Sequence, residues 1–192
     1  RPSMSNNHTR RARLKLNRPS LRERARPPKQ RTPMGQTFTS ANYSGVLVMQ
    51  HCQQCEVVQY PPREICQNCL GDELIWRETS TAGYLLSRIE LHHSLWEYFK
   101  RRLIDKPWPI ATVRLENSTT VFSHLYLASF GDLPLEAIRK GTAVQVFSHS
   151  DSSLNSVLIA VSAQCDISQI KDRAAIAKTM GLTTAAERPG GI

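Results

Sequence analysis

Past residue 73 the apolar positions fall in short runs bounded by turn residues, the pattern of strands and not of long helices. Leu74–Glu78 is a short first run, and Gly83–Leu91 is a longer one whose glycine suggests a bend at its start. Ile110–Glu116 and Thr120–Tyr126 are separated by Asn117-Ser118-Thr119, a tight hairpin turn. Ala143–Phe147 and Ser156–Ser162 complete the series across a polar loop. Five strands after the Leu74 segment, at this spacing, predict an OB-fold barrel. Upstream, Val46–Met49 predicts a strand, and Glu56–Arg63 another that turns at Pro61-Pro62, because proline removes a ladder donor. Helical pattern is confined to three stretches. Ser94–Leu103 ends before Pro107, and Leu135–Lys140 is a short turn closed by Gly141. Ser168–Met180 places Ile170, Ala174 and Ala177 on one stripe, with Ile176 off it and Gly181 ending the run.

The 192 residues allow one medium domain or two small ones. No apolar run approaches the ~20 residues needed to span a bilayer, so no membrane partner is expected. The net charge of +9 resembles a nucleic-acid signature until it is localised. Residues 1–33 hold eleven Lys/Arg and one acid, Glu23, whereas the rest hold fourteen Lys/Arg and fifteen Asp/Glu. The basic character therefore belongs to the tail. That tail is poor in large apolar residues, and disorder is the expectation for 1–37. A nucleic-acid arm and an Arg-rich targeting segment are two readings of it. The favoured one is a segment outside the working protein or functionally neutral, since the chain does not begin with Met and Met34 sits where the composition changes.

Candidate chemistry concentrates in four cysteines. Cys52 and Cys55 flank one dipeptide, Cys66 and Cys69 flank another, and ten residues separate the pairs. Two such hooks place four thiolates at the corners of a tetrahedron, which suits a structural Zn²⁺ with no open coordination position. A rubredoxin-type iron has the same ligands and is an alternative. Two disulfides would leave Cys165 unpaired, and nothing at the N-terminus reads as a secretory apolar segment, so a reducing, cytoplasmic setting is expected. The turn after each hook asks for positive φ and usually for glycine, yet Glu56 and Leu70 stand there, which predicts slight strain. Residues 46–75 form a zinc ribbon too small to fold without its metal.

The stretch HCQQCEVVQYPPREICQNC followed by an OB-like barrel, with Pro107-Trp108-Pro109-Ile110 and Val113-Arg114-Leu115 further on, resembles the acyl-CoA-associated zinc-ribbon/OB-fold family, long labelled a domain of unknown function. The likeness covers about Val46 to Ser162. It implies a rubredoxin-like zinc ribbon (38–75) followed by a five-stranded OB-fold (76–165); the disordered basic tail (1–37) and the C-terminal helix with its frayed end (166–192) lie outside the likeness and complete a mostly β chain. It also implies a non-catalytic accessory subunit of a thiolase-like or aldolase-like enzyme, docking the partner and helping to bind or channel its CoA thioester.

The residues agree in that no catalytic constellation stands out. The histidines are scattered; His92 and His93 would face opposite sides of a strand, His124 reads as a hydrogen-bonded barrel residue, and His51 is unneeded beside four thiolates. Cys165 reads as a small buried hydrophobe without an activating base. A CoA- or partner-binding surface is expected at Arg63 and across 88–108, where Arg88, Trp96, Lys100, Arg101, Arg102 and Trp108 combine cations for phosphates with rings for adenine stacking. The bland alternative is a solvated helix whose Leu95, Trp96 and Phe99 pack on the barrel. A nucleic-acid-binding OB-fold/zinc-ribbon protein is the second function class, opposed by the near-neutral body. An independent enzyme and an electron-carrying iron protein are weaker still.

Overall fold

The computed structural model describes residues 32–43, 45–93, 103, 106–150 and 156–182. Its first element, α1 (Pro33–Ala41), lies across the boundary expected at 37/38, so order begins earlier than the composition suggested. Thr32 caps it, accepting the Gly35 N–H at 3.2 Å, and Pro33 opens the first turn, where its missing N–H costs nothing. Fully buried Asn42 ends it. Its amide nitrogen donates to the Phe38 and Val48 carbonyls and its Oδ1 accepts the Val48 N–H, all at 2.8–2.9 Å. Every arm of a costly buried amide is thereby satisfied, and α1 is fixed to the strand that follows.

That strand, β1 (Val48–Cys52), lies between β2 (Val58–Gln59) and β3 (Leu74–Glu78) in an antiparallel sheet, the ribbon. The barrel follows as β4 (Ala82–Leu91), β5 (Trp108–Leu115), β6 (Thr120–Leu125), β7 (Ala143–Ser150) and β8 (Ser156–Ser162). These close in the order β4-β5-β6-β8-β7, with β6 and β8 parallel and all other pairs antiparallel. This is a five-stranded OB-type barrel, as the spacing predicted. Gly83 has a different reason from the expected bend. A Cβ there would collide with the Arg114 carbonyl oxygen, so the glycine lets β4 and β5 approach. The irregularity in β4 comes later, as a bulge between Leu85 and Ser87.

Ribbon and barrel share one core. Phe38, Leu47 and Met49 bury with Leu85, Val113, Leu115, Val121 and Val146, and Val58, Tyr60 and Trp76 pack against the same cluster. The boundary expected at 75/76 thus runs through a continuous apolar interior. A second cluster lies on the barrel's outer side, where Trp108, Phe147, Ile159 and Val161 are covered by Ile167, Leu182 and helix α2 (Ile170–Thr179). The face of α2 differs from the expected stripe: Ile176 and Ala177 are buried, and Ile170 is exposed. The helix is weakly amphipathic and short, so docking contacts and not periodicity select its inner side. The expected turn at 135–140 is a short 3-10 helix, Leu135–Ala137, and most of the expected helix at 94–103 lies outside the described residues.

Candidate metal centre

The two cysteine hooks fold as copies of each other. The Glu56 N–H donates to the Cys52 carbonyl at 2.9 Å and the Leu70 N–H to the Cys66 carbonyl at 3.1 Å. Both turn-closing residues are left-handed, Glu56 at φ 59° and Leu70 at φ 63°, the conformation the sequence demanded of non-glycine residues. Gln53 N–H donates to the Glu73 carbonyl at 2.9 Å and links the first hook to the chain leaving the second.

The four sulfurs meet. Cys52 Sγ lies 3.5 Å from Cys69 Sγ, Cys55 Sγ lies 3.5 Å from Cys66 Sγ, and all four fall within 4.8 Å of one another. A tetrahedral Zn²⁺ with bonds of ~2.3 Å has sulfur–sulfur edges of about 3.8 Å, so the cluster fits that ion. Disulfides are excluded, since all five cysteines are free and the sulfurs stand far beyond the ~2.05 Å of an S–S bond. The donors around the sulfurs prepare them for a cation. The Asn68 side chain, followed by the Val57 backbone, holds the Cys55 thiol down at about 6. The backbones of Cys69 and Asn68 lower Cys66. At Cys69 the Gly71 backbone lowers the pKa, but the neighbouring thiols outweigh it and push the group up to about 12. Four thiols this close cannot all ionise without a positive charge between them. His51 adds no atom to the cluster, and burial followed by the Arg77 charge lowers its pKa.

Two buried glutamines carry this geometry, and no local sequence signal marks them. Gln50 and Gln59 are 2 % and 1 % exposed. Gln59 Nε2 donates to Gln50 Oε1 at 2.9 Å, and Gln59 Oε1 accepts the Gln67 N–H at 2.9 Å, one residue past Cys66. Gln50 Oε1 also accepts the Arg63 N–H at 2.7 Å, while its Nε2 donates to the Arg63 carbonyl at 2.9 Å. The loop between the hooks is thus held by side-chain amides in place of ladder bonds. A Gln on a short strand ordinarily reads as solvated.

Of the expected ligand surface, only Arg63, Arg88 and Trp108 are among the described residues. Arg63 is exposed on the ribbon, and Arg88 pairs with Glu90 at 3.1 Å on the barrel. Trp96, Lys100, Arg101 and Arg102 lie outside the described residues. Trp108 is a correction: it is 7 % exposed in the second core cluster, and its indole N–H donates to His124 Nδ1 at 2.8 Å. A ring so placed is committed to packing. His124 is accordingly the hydrogen-bonded barrel residue expected. Cys165 is half-buried, and burial, then the charges of Asp166 and Asp172, raises its pKa. Exposed rings lie elsewhere, Tyr43 after α1 and Tyr84 and Phe122 on the outer barrel. A cleft of about 490 Å³ opens beside Leu47, Glu78, Thr79, Gln145, Gln164 and Arg173, where ribbon, barrel and α2 meet. No helix among the described residues is long and apolar enough to cross a membrane.

Residues 40–74 match the family model described as "ChsH2, rubredoxin-like zinc ribbon domain". No curated protein shows significant sequence similarity to the chain. A solved structure described as "Ltp2-ChsH2(DUF35) aldolase" is 19% identical with a TM-score of 0.51, covering 76% of this chain and 99% of that one. A DUF35-family protein of unknown function from Sulfolobus solfataricus is 15% identical with a TM-score of 0.40, covering 59% of this chain and 77% of that one. The matched ribbon and the barrel that follows it bear out the resemblance of this chain to the acyl-CoA-associated zinc-ribbon/OB-fold family.

Proposed function

We propose that this chain is a non-catalytic, cytoplasmic accessory subunit of a thiolase-like or aldolase-like enzyme, docking that enzyme and helping to bind or channel its CoA thioester. The observation that carries the reading is the four-sulfur cage. A Zn²⁺ held by Cys52, Cys55, Cys66 and Cys69 supplies cross-linking and no chemistry, because its coordination is complete. A ribbon that shares its core with the barrel is a rigid body suited to docking. The solved structure of similar fold is described as an aldolase together with ChsH2(DUF35), which favours an enzyme partner. The junction cleft lies within the volume range of small-molecule sites and suits a pantetheine arm.

The test is purification of the tagged chain from its native cell, with metal analysis and mass spectrometry of what accompanies it. The expected result is about one zinc per chain and a thiolase-like or aldolase-like enzyme whose turnover falls when the chain is withheld. Turnover of an acyl thioester by the isolated chain, abolished by chelation while the fold persists, would overturn the reading.

A further inference from the structure

The two hooks share more than a backbone pattern. Gln54 and Asn68 hold equivalent places, each directly before the second cysteine of its hook. Each reaches the second cysteine of the opposite hook. The Cys69 thiol donates to Gln54 Oε1 at 3.6 Å, and the Asn68 side-chain amide donates to Cys55. These two sulfurs are the outer pair of the cluster. Cys52 and Cys66 are buried, whereas Cys55 is half-buried and Cys69 is exposed. The crossing amides, themselves exposed, therefore lie on the side from which water, chelators and electrophiles approach.

Gly71 keeps the place of Gln54 open. A Cβ on Gly71 would collide with the Gln54 carboxamide, so that side chain lies across the turn closing the second hook, where the Cys66 N–H donates to the Gly71 carbonyl at 2.7 Å. Gly71 is not one of the left-handed glycines, so its backbone conformation does not require glycine. What the missing side chain gives is room for the amide. A glutamine lying there gives up rotamer freedom that it would keep in water. Its neighbour Gln53 is also exposed and makes no side-chain hydrogen bond among the described residues.

The carboxamide suits both states of the sulfur. A thiol donates to its oxygen. A metal-bound thiolate has no proton to donate, and a half-turn of the terminal torsion presents Nε2–H to it with the chain unmoved. An N–H bond to a charged sulfur is of the stronger, charge-assisted kind, and it engages the lone pair that would otherwise attack an electrophile.

We propose that Gln54 and Asn68 form a reciprocal latch on the metal cage. Each is a positioning residue that donates to the outer thiolate of the opposite hook, secures Zn²⁺ and shields that sulfur from electrophiles. The latch does not depend on which enzyme the chain serves.

The experiment uses the zinc-loaded full chain, with zinc competition against a chromogenic chelator and iodoacetamide alkylation read by peptide mapping. Gln54→Leu removes the donor and keeps the cover. Its apparent zinc affinity should fall about 10-fold or more, the scale on which partners of metal ligands act. Alkylation should rise at Cys69, in the opposite hook, and not at Cys55. Asn68→Leu should do the reverse. Gly71→Ala alters no donor, yet it should mimic Gln54→Leu by evicting the carboxamide, and Gln53→Leu should match wild type. None of these substitutions removes core, and thermal melts of the loaded variants verify the fold. Wild-type affinity and alkylation in Gln54→Leu would overturn the latch. So would Gln53→Leu matching Gln54→Leu, or alkylation rising at the cysteine of the substituted hook. A chain that takes up no zinc overturns cage and latch together.

Discussion

Replacing Gln59 by leucine tests whether side-chain amides hold the metal loop. The substitution keeps approximate volume and removes the bonds to Gln50 Oε1 and from the Gln67 N–H, both 2.9 Å, together with a longer one to the Ile65 carbonyl at 3.3 Å. Two well-formed bonds contribute about 1 kcal/mol each, and the orphaned Gln67 N–H adds a desolvation cost of about 1 kcal/mol or more. Gln50 Oε1 keeps the Arg63 N–H, and the Ile65 carbonyl is near solvent, so neither adds much. The apolar side chain returns up to about 1 kcal/mol of burial. The expected loss is about 2–3 kcal/mol, or a drop of roughly 5–10 °C in Tm for a body of this size. Differential scanning calorimetry of the zinc-loaded protein reads it, and chelator competition reads a faster loss of zinc, because Gln67 follows Cys66 directly. A variant within 1 °C of wild type with unchanged zinc release would refute the reasoning.

Further expectations concern the hooks, the barrel and the remaining thiol. Leu70→Gly should raise the Tm, since the left-handed conformation costs leucine about 1–2 kcal/mol while glycine's extra chain entropy returns only ~0.5–1 kcal/mol. The side chain is 71 % exposed, so a fall in Tm would mean that it packs after all. Gly83→Ala should destabilise by about 1–3 kcal/mol through the clash with Arg114, read as a lower urea midpoint at constant slope; an unchanged midpoint would show that the strands separate freely. Cys66→Ser should abolish stoichiometric zinc and, with it, the packing of Phe38 on Trp76, seen in near-ultraviolet circular dichroism. The pKa of Cys165 is raised, so its neutral thiol is favoured in the fold and thiolate appears only at higher pH. Alkylation of the native protein should therefore follow a profile displaced to higher pH than that of the denatured chain, and coincident profiles would contradict the burial.

The sequence legible in advance was that written in local chemistry. Paired cysteines dictate their own geometry, turn residues mark the strand ends, and the positive φ of Glu56 and Leu70 followed from the knuckle alone. Helix α1 stayed hidden because PMGQTFTSA has a glycine, two threonines and only two large apolar residues, Met34 and Phe38. Its stability comes from Asn42 and from Phe38 against Tyr60 and Trp76, partners more than fifteen residues away. Trp108 was misplaced because an aromatic beside cations looks the same in sequence whether it faces solvent or His124. That Tyr84 stands opposite Arg114, and Phe122 opposite Thr112, needed the register of three strands, which hydrophobic runs do not specify.

The shared core changes what the metal site is for. A ribbon joined to a barrel by a linker could melt on losing its ion and leave the barrel intact. Here Phe38, Leu47 and Met49 are buried with barrel residues, at about 1.5–3 kcal/mol each. The barrel hairpin is tied back through Thr119 Oγ1, which donates to the Val58 carbonyl at 3.0 Å, and through Asn117 to Thr79. Those contacts are worth several kcal/mol, comparable with the whole stability of a small domain. The four thiolates therefore clamp one wall of the barrel as well as a loop at its edge. The cage thus sets the shape of the body and need not touch any reactant, which is the division of labour the proposed accessory role requires.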